Sequence, residues 1–319
     1  MNTFGWRLRL TTFGESHGPA MGGVLDGMPS MVKIDIEEIR RHLQRRRPGS
    51  GPNVSQRDEP DELEILSGLT SDGLTLGTPI GFIIRNRDAR SGDYDDFRGK
   101  LRPNHADFTY LKKYGIHDFN GGGRASARAT VACVVGGSIV RQWLGTMGIE
   151  IEGEFVETNS VAEAKARRDS TGGIVKCSVK GLKAGIGNPV FGKLHARLAE
   201  AMMGINAAKG FEYGDGFRSA TMLGSECLDE FYMDEEGEIR CQTNHSGGIQ
   251  GGISNGMPVE FKVYFKPTPT LPREIGTIDI DGNNCTLPAK GRHDPCVAVR
   301  AVPVVESMAA LVIGDLMLS

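Results

Sequence analysis

Two histidines lie in loop segments whose neighbouring residues suit the binding of an anion. His17 stands between two glycines in residues 14–18, and His105 follows Arg102 just before a predicted helix. Near neutral pH, an imidazole can donate a proton to a leaving group or carry a positive charge toward an anion. On its pattern alone, each segment is equally consistent with a turn that carries a solvated histidine or with a helix-capping segment.

Arginine-rich and glycine-rich segments supply groups that would bind such an anion. Arg45, Arg46 and Arg47 end a predicted helix, and guanidiniums bind carboxylates or phosphates through paired hydrogen bonds. Residues 121–128 place three glycines before a predicted helix start, where backbone N–H groups can face an anion. A solvated charged surface is the alternative for the arginines, and a flexible hinge is the alternative for the glycines.

Three later segments carry similar groups. Residues 244–256 contain two Gly-Gly pairs, which would either flatten the backbone against a planar ring or form a bulged hairpin. Residues 266–270 place the Lys266 ammonium beside two threonine hydroxyls at the end of a predicted strand, which suits a phosphate. Residues 291–296 add an arginine, a histidine and an aspartate.

Several common catalytic and binding motifs are absent from the sequence. There is no P-loop, no Gly-x-Gly-x-x-Gly fingerprint, no His-Glu-x-x-His pair and no EF-hand loop. The histidines lack metal-ligand spacing, so we interpret His42, His117 and His195 as surface or core residues and expect no metal. Kinase and metal-hydrolase activities are therefore disfavoured.

Hydrophobic periodicity predicts a mixture of helices and strands rather than a series of βαβ units. Asp35 caps a helix that ends at Pro48, a second helix covers residues 107–114, and a long apolar helix covers residues 126–147. The pattern predicts an α+β fold with several antiparallel strands in one domain, residues 1–319. Further helices are predicted over 193–203 and 304–317, and strands over 7–13, 23–25, 80–84, 149–156, 174–179 and 259–265.

The composition indicates a globular chain and excludes several other classes. The 319 residues are 39% hydrophobic and carry a formal net charge of -3, which argues against disorder and against a nucleic-acid polycation. The apolar stretch 302–318 is interrupted by two acidic residues and is too short to span a bilayer. The six cysteines are widely spaced, which predicts free thiols in a reducing cytoplasm.

Taken in order along the chain, these segments resemble the signatures of the chorismate synthase family. The resemblance extends from residue 3 nearly to the C-terminus, and the ordered set is far more specific than any one motif. It implies a β-α-β sandwich, with helices packed between two largely antiparallel sheets, and a homotetramer. The matching segments are 14–29, 45–49, 102–107, 121–127, 247–254, 266–268 and 291–303.

The resemblance also implies a reaction and a set of site residues. Chorismate synthases convert 5-enolpyruvylshikimate 3-phosphate into chorismate and phosphate, through a 1,4-anti elimination that requires reduced FMN without net redox change. By resemblance, His17 is the acid near the leaving phosphate, His105 stabilises the reduced flavin, and Asp294 assists proton removal. The implied substrate-binding residues are Arg45, Arg46, Arg47, Ser16 and Ser126, and the implied FMN-binding residues are Arg124, Ala125, Ser126, Asn206, Ala207, Gly251, Lys266, Pro267, Thr268, Pro269, Thr270 and Arg292.

The chain departs from the family pattern at three positions beside these residues. Ala125 and Pro269 each stand where a serine is common, and Pro52 stands near the place where many members have an arginine. Each departure removes one expected polar contact, while His17 and His105 are unaffected.

Two other functions are compatible with parts of the sequence. A flavin reductase would use the same FMN-like residues, although the missing dinucleotide fingerprint disfavours it. An RNA-binding module would use residues 45–47, although the net charge of -3 and the lack of interleaved aromatic residues disfavour it.

Overall fold

Two larger sheets, three short hairpins and six helices make up the part of the chain that the computed structural model describes, residues 1–47, 61–86, 96–289 and 294–319. The strands are β1 (Thr3–Phe4), β2 (Arg9–Gly14), β3 (Ala20–Asp26), β4 (Leu63–Ile65), β5 (Ile80–Arg85), β6 (Glu150–Val156), β7 (Gly173–Lys180), β8 (Ala208–Tyr213), β9 (Phe231–Met233), β10 (Ile239–Cys241), β11 (Ile249–Gln250), β12 (Ile253–Ser254), β13 (Val259–Phe265), β14 (Ile275–Ile278) and β15 (Asn284–Leu287). The helices are α1 (Ile36–Arg46), α2 (Asp107–Tyr114), α3 (Thr130–Gly145), α4 (Val161–Ala166), α5 (Leu194–Met203) and α6 (Ala298–Met317).

The two larger sheets are antiparallel throughout and each buries one face. The first has the strand order β1-β2-β3-β5-β4, and the second has the order β6-β7-β13-β8. In β13, Val259, Phe261 and Val263 are buried, while Glu260 and Lys262 between them are more exposed. This period of two is the pattern of a strand with one covered face. The hairpins are β9–β10, β11–β12 and β14–β15.

A layer of helices separates the two sheets. Helix α3 packs against β2, β3 and β5 of the first sheet, whereas α6 packs against β6 and β7 of the second, and the two helices pack closely together. Both helices are buried nearly all round, as expected for helices in a middle layer. The structure therefore confirms the expected α+β class and the β-α-β sandwich, with the apolar segment after residue 126 in its central layer.

The predicted starts of the two central helices are wrong. The α-helix predicted from residue 126 begins at Thr130, because Ser126 is extended between two short 3₁₀ turns, Gly123–Ala125 and Ala127–Ala129. The C-terminal helix begins at Ala298 instead of residue 304 and contains Pro303, whose ring removes one backbone hydrogen bond inside the helix. The helix at 107–114 is confirmed with its predicted bounds.

Two further features bear on the sequence predictions. All six cysteines are free thiols, and no helix in the described part of the chain has the length and hydropathy that a membrane span needs. The segment 244–256 forms the hairpin β11–β12, with left-handed glycines at its turn. The hairpin that is one interpretation of its Gly-Gly pairs is therefore present.

Candidate active site

The turn between β2 and β3 carries His17 against the glycine-rich segment. The Ser16 hydroxyl lies 3.0 Å from His17 Nδ1, which orients the imidazole ring. A Cβ atom on Gly121 would lie only 2.2 Å from the same nitrogen, so the contact requires a glycine at this position. The structure thus brings together two segments that are about one hundred residues apart in sequence.

The segment after these glycines is fixed by backbone acceptors. The Arg124 guanidinium donates to the carbonyl oxygens of Gly14 and Thr12, both at 3.3 Å, and to Thr12 Oγ1 at 2.5 Å. Asn206 Nδ2 donates to the Ala125 carbonyl oxygen at 2.8 Å. Three of the residues expected to bind FMN, Arg124, Ala125 and Asn206, therefore lie side by side.

Ser126 acts locally as a cap in this segment. Its Oγ accepts a hydrogen bond from the Arg128 backbone N–H at 3.2 Å and begins the second 3₁₀ turn. The hydroxyl expected to bind substrate thus also stabilises the backbone that leads into α3.

The second histidine meets the 266–270 segment. His105 Nε2 lies 2.7 Å from Thr270 Oγ1, and the Lys266 ammonium donates to the Asn104 carbonyl oxygen at 2.9 Å. The Lys266 backbone N–H also donates to the Ala207 carbonyl oxygen at 3.0 Å. Three stretches of sequence predicted to contribute to one site are therefore joined by direct hydrogen bonds.

The same segment carries groups suited to an anionic ligand. Burial lowers the pKa of Lys266, and the positive charge of Lys209 lowers it further, so two ammonium groups lie near one another. The Thr268 hydroxyl is buried and has no hydrogen-bond partner among the described residues, while its carbonyl accepts from Ser170 Oγ at 2.7 Å. An unpartnered hydroxyl donor and two ammonium groups within one segment and its surroundings are groups that a phosphate would satisfy.

Asp107 fixes Arg102, which links the segment that carries His105 to the glycine-rich segment 121–128. The Arg102 guanidinium donates to both Asp107 carboxylate oxygens, at 2.8 and 2.7 Å, and also to the Gly121 carbonyl oxygen at 3.4 Å. Burial acts to raise the pKa of Asp107, but the hydrogen bonds and charge of Arg102 outweigh it and hold that pKa below its ordinary value. His117 Nε2 lies 3.1 Å from the same carboxylate, which supports the interpretation of His117 as a core residue.

A second cluster of charges lies where α1, the 3₁₀ turns and α6 meet. Asp61 accepts from Arg46 at 3.1 Å and forms an ion pair with Arg128 on its other oxygen. The Asp294 carboxylate forms an ion pair with Arg300, which also reaches the Arg46 carbonyl oxygen. Neither Asp61 nor Arg300 is identified as a site residue by the sequence patterns.

The guanidinium of Arg46 is almost completely buried in this cluster. Burial and the charges of Arg300 and Arg128 together lower its pKa to about 10, against the opposing effect of Asp61. Its Nε has no hydrogen-bond partner among the described residues. A small cavity lined by Arg46, Asn206 and Arg300 joins this cluster to the segment that carries Arg124.

Two of the expected site residues, Arg45 and Gly251, are not brought to these clusters, whereas Arg47 lies beside Asp61 of the second cluster. Arg45 points elsewhere and makes a bidentate ion pair with Glu306 at 2.7 and 2.9 Å. Arg47 is half-buried and borders a cleft beside Asp61. Gly251 lies in the β11–β12 turn, which contacts the first residue of α5 through the Gly252 carbonyl oxygen. Asn206 follows the last residue of α5, so the helix separates these two expected FMN-binding residues.

Some residues singled out by the sequence patterns lie outside the part of the chain that the structure describes. They are Arg292, His293 and the departure from the family pattern at Pro52. Pro48, where a helix end is predicted, is also outside the described ranges, and α1 ends at Arg46.

The charged residues that signal this site in the sequence are those near glycines. Asp61 lacks that signal, since it belongs to an acidic run typical of a solvated surface. Its left-handed backbone, with φ of 48°, is visible only in three dimensions. Such a conformation is uncommon for a residue with a side chain and concentrates at functional sites.

Comparison with known proteins identifies one family. The sequence model of that family, Chorismate synthase, matches residues 8–160 and 156–318 of the chain. Its two matches together cover nearly all of both sheets and the helical layer.

Individual relatives carry the same name. The chain is 49% identical to a chorismate synthase from Christiangramia forsetii, over 98% of this chain and 96% of that protein. It is 45% identical to one from Phocaeicola vulgatus, over 98% and 97% of the two chains, and 47% identical to one from Synechocystis sp., over 98% and 96%. A solved structure described as "Crystal Structure of Chorismate Synthase" superposes with a TM-score of 0.79 at 28% identity, and covers 99% of this chain and 93% of that one.

Proposed function

Since the chain belongs to the chorismate synthase family, we propose that His17, His105 and Asp294 are the catalytic residues of its reaction. That reaction is the 1,4-anti elimination of phosphate from 5-enolpyruvylshikimate 3-phosphate, which gives chorismate. The enzyme is a carbon–oxygen lyase of the shikimate pathway, and the reaction has no net redox change.

One observation carries this assignment. The segments that contain His17, Gly121, Arg102 and His105 are linked in space, although they are scattered along the sequence: His17 packs against Gly121, Arg102 donates to the Gly121 carbonyl oxygen, and His105 contacts Thr270. An elimination needs an acid at the leaving group and cations near a highly charged substrate in the same small volume. The convergence supports a site of that kind.

In the proposed mechanism, His17 acts on the leaving phosphate. Its ring is oriented by Ser16 and packed against the Gly121 backbone, so its direction is fixed before substrate binds. We assign to His17 the donation of a proton to a phosphate oxygen as the carbon–oxygen bond breaks. An oriented acid of this type contributes about 10²–10⁴-fold to rate.

His105 and Asp294 have separate proposed tasks. His105 is held by Thr270 and lies beside the Lys266 segment, where its imidazolium would offset negative charge on a reduced flavin. Asp294 is buried and paired with Arg300, which keeps the carboxylate oriented to assist removal of a ring proton. The proposed task of His105 requires a positive charge, whereas that of Asp294 requires a negative charge. His105 accordingly contacts a neutral hydroxyl, whereas Asp294 pairs with a guanidinium.

We propose that Arg46, Ser16 and Ser126 bind the carboxylates and phosphate of the substrate. Arg46 is buried, and its Nε has no partner among the described residues although Asp61 binds another of its nitrogens, so an incoming anion could accept this remaining hydrogen bond. Arg45 and Arg47 remain proposed substrate contacts, with Arg45 the weaker of the two because Glu306 already binds its guanidinium.

The residues around Lys266 and Thr268 fit FMN, which we propose as the cofactor. The buried, unpartnered Thr268 hydroxyl and the two nearby ammonium groups suit its phosphate. The residues proposed to hold the reduced form are Arg124, Ala125, Ser126, Asn206, Ala207, Gly251, Lys266, Pro267, Thr268, Pro269, Thr270 and Arg292. The chemistry that reduced FMN supplies when bound is transient electron density for the departure of phosphate.

We also propose a homotetramer in the cytoplasm. Trp6, Val190 and Phe191 are respectively 53%, 65% and 89% exposed, and large apolar side chains this exposed favour an interface between subunits. Six free thiols favour a reducing compartment. Light scattering coupled to size-exclusion chromatography would test the tetramer, and a monomer at micromolar concentration would contradict it.

An anaerobic assay tests the proposed activity directly. Folded protein, chemically reduced FMN and 5-enolpyruvylshikimate 3-phosphate should give chorismate and phosphate in equal amounts, with the flavin still reduced at the end. Oxidation of NADPH without a shikimate substrate would instead indicate a flavin reductase. Absence of turnover in folded, FMN-loaded protein would contradict the proposal.

A further inference from the structure

The turn that carries His17 is held by the side-chain amide of Asn86. This residue directly follows β5, and its Nδ2 donates to the carbonyl oxygens of Gly18 at 2.8 Å and Glu15 at 3.1 Å. The Ser16 carbonyl oxygen lies 3.4 Å from the same nitrogen. A single amide therefore contacts the backbone on both sides of the imidazole-bearing residue.

The other end of this amide contacts the charged cluster. Asn86 Oδ1 accepts a hydrogen bond from Arg128 Nε at 3.0 Å. Carbonyl oxygens only accept and a guanidinium only donates, so one orientation of the amide satisfies both sides. The side chain is thereby locked between the two groups.

From Arg128 the connection continues into the proposed substrate-binding residues. Arg128 pairs with Asp61, and Asp61 in turn accepts from Arg46. Asp61 is only 3% exposed, so the link between the guanidiniums is shielded from water and screened little by salt. Asn86 is thus the point at which the His17 turn joins the arginine cluster.

We propose that Asn86 is a positioning residue, which sets the His17 turn relative to the arginine cluster. The proposal rests on the function assigned above to His17. Asn86 itself contacts backbone and Arg128 rather than any reacting atom. Its contribution is geometric, because displacement of an oriented acid by about 1 Å can reduce a rate by about a hundredfold.

The substitution Asn86→Asp separates positioning from substrate binding. Aspartate has nearly the same shape and keeps an acceptor for Arg128, but it replaces the N–H donors by a carboxylate oxygen that faces three carbonyl oxygens. We expect kcat to fall by roughly ten- to a hundredfold, while KM for the substrate changes by less than about threefold. An unchanged kcat in the folded variant would overturn the proposal.

A spectroscopic measurement tests the same inference without turnover. The imidazole resonances of His17, assigned by their loss in His17→Gln, should shift in Asn86→Asp. The matched control is Asn244→Asp, because Asn244 also bridges a glycine-rich turn, from Gly248 N–H at 2.7 Å to the Pro258 carbonyl at 2.9 Å. That variant should leave the His17 resonances in place.

The unmodified protein provides a test that does not depend on a variant folding. The side-chain amide protons of Asn86 should exchange slowly with solvent, because both are held against carbonyl oxygens of the turn. Fast exchange, or unshifted His17 resonances in Asn86→Asp, would overturn the positioning role. Failure of the anaerobic assay with unmodified protein would instead contradict the proposed function and leave these two measurements valid.

Discussion

At the residue scale, different hydroxyls hold the two proposed catalytic imidazoles. Ser16 orients His17 and Thr270 orients His105. We expect His17→Ala and His105→Ala each to lower kcat by roughly tenfold to a thousandfold, the effect of losing a positioned acid or cation. Anaerobic steady-state assays with reduced FMN would measure this.

A third histidine supplies the control for those variants. His195 stacks on Tyr213 with ring centroids 4.8 Å apart, and its sequence pattern indicates a core or surface residue. His195→Ala should retain near-normal kcat. Near-normal rates in both His17→Ala and His105→Ala would refute the roles assigned to them.

We expect substitution of Thr268 to raise the stability of the protein and to lower its affinity for FMN. Its hydroxyl is buried without a partner among the described residues, and such a group destabilises a fold by about 1–3 kcal/mol. Thr268→Val should therefore raise the unfolding temperature of FMN-free protein, while it weakens FMN binding by about tenfold through the loss of one phosphate contact. Thermal unfolding and FMN titration would measure the two effects.

Thr75 is the matched control for this substitution. It is buried, but its hydroxyl donates to the Pro29 carbonyl at 2.7 Å and accepts from Val32 N–H at 2.9 Å. Thr75→Val should lower stability and leave FMN affinity unchanged. If Thr268→Val destabilises the protein as much as Thr75→Val does, the Thr268 hydroxyl has a partner and the argument for a phosphate contact fails.

Sequence patterns identify several of the site residues, but not the residues that support them. His17 and Arg124 are recognisable because they stand in glycine-rich segments, and His105 because it follows an arginine just before a predicted helix. Asp61 and Asn86 are ordinary loop residues by type and spacing. Their importance comes from hydrogen bonds to Arg128, Arg46 and the His17 turn, which no local pattern encodes.

At the element scale, α3 and α6 approach each other at a glycine. A Cβ on Gly137 would lie 2.3 Å from Ser307 Cβ and 2.5 Å from its Cα and carbonyl oxygen. Backbone atoms cannot move aside as a flexible side chain can, so Gly137→Ala must separate the helices. We expect a loss of about 1–3 kcal/mol in the free energy of unfolding, measured by urea denaturation.

Gly145 gives the corresponding control on the same helix. It is the last residue of α3, and a Cβ there would meet nothing within 4 Å. Gly145→Ala should be neutral or should stabilise the protein by up to about 1 kcal/mol, because alanine has the higher helix propensity. Equal destabilisation by both substitutions would show that helix packing is not the cause.

Helix boundaries show which element-scale features are readable from sequence. The bounds of the helix Asp107–Tyr114 are predicted correctly because Gly115 takes the left-handed conformation that ends it. The start of α6 is missed because Pro303 lies inside the helix, where the local rule predicts a break. Packing of α6 against both α3 and the second sheet outweighs that cost.

At the scale of the whole molecule, the site depends on pairings between distant strands. His17 follows β2 and Asn86 follows β5. These two strands pair with β3 on its opposite sides in the first sheet. His105 meets Thr270, which follows β13 of the second sheet. The sequence resemblance predicts that these segments converge, but strand order and register are non-local and had to be seen in the structure.

A buried charge network joins the layers of the molecule and makes stability depend on pH. Glu306 of α6 accepts from Arg45 of α1 and from Arg141 of α3, while His42 bonds Ser138 at 2.8 Å. Burial and the charge of Arg141 together lower the pKa of His42 to about 4, with Glu306 opposing. The native state therefore holds this imidazole neutral.

The sign of the pH effect follows from these two protonation states. Between about pH 4 and the unfolded value near 6.5, the unfolded chain binds a proton at His42 that the native state does not, so stability falls as pH falls through this window. We expect about 2 kcal/mol from this group, after allowance for solvent screening. Urea denaturation from pH 4 to pH 7 should show a shallower decline for His42→Gln than for the unmodified protein. Parallel curves would mean that His42 takes up a proton without disturbing the Arg141–Glu306 network, and that the helical layer tolerates a further positive charge.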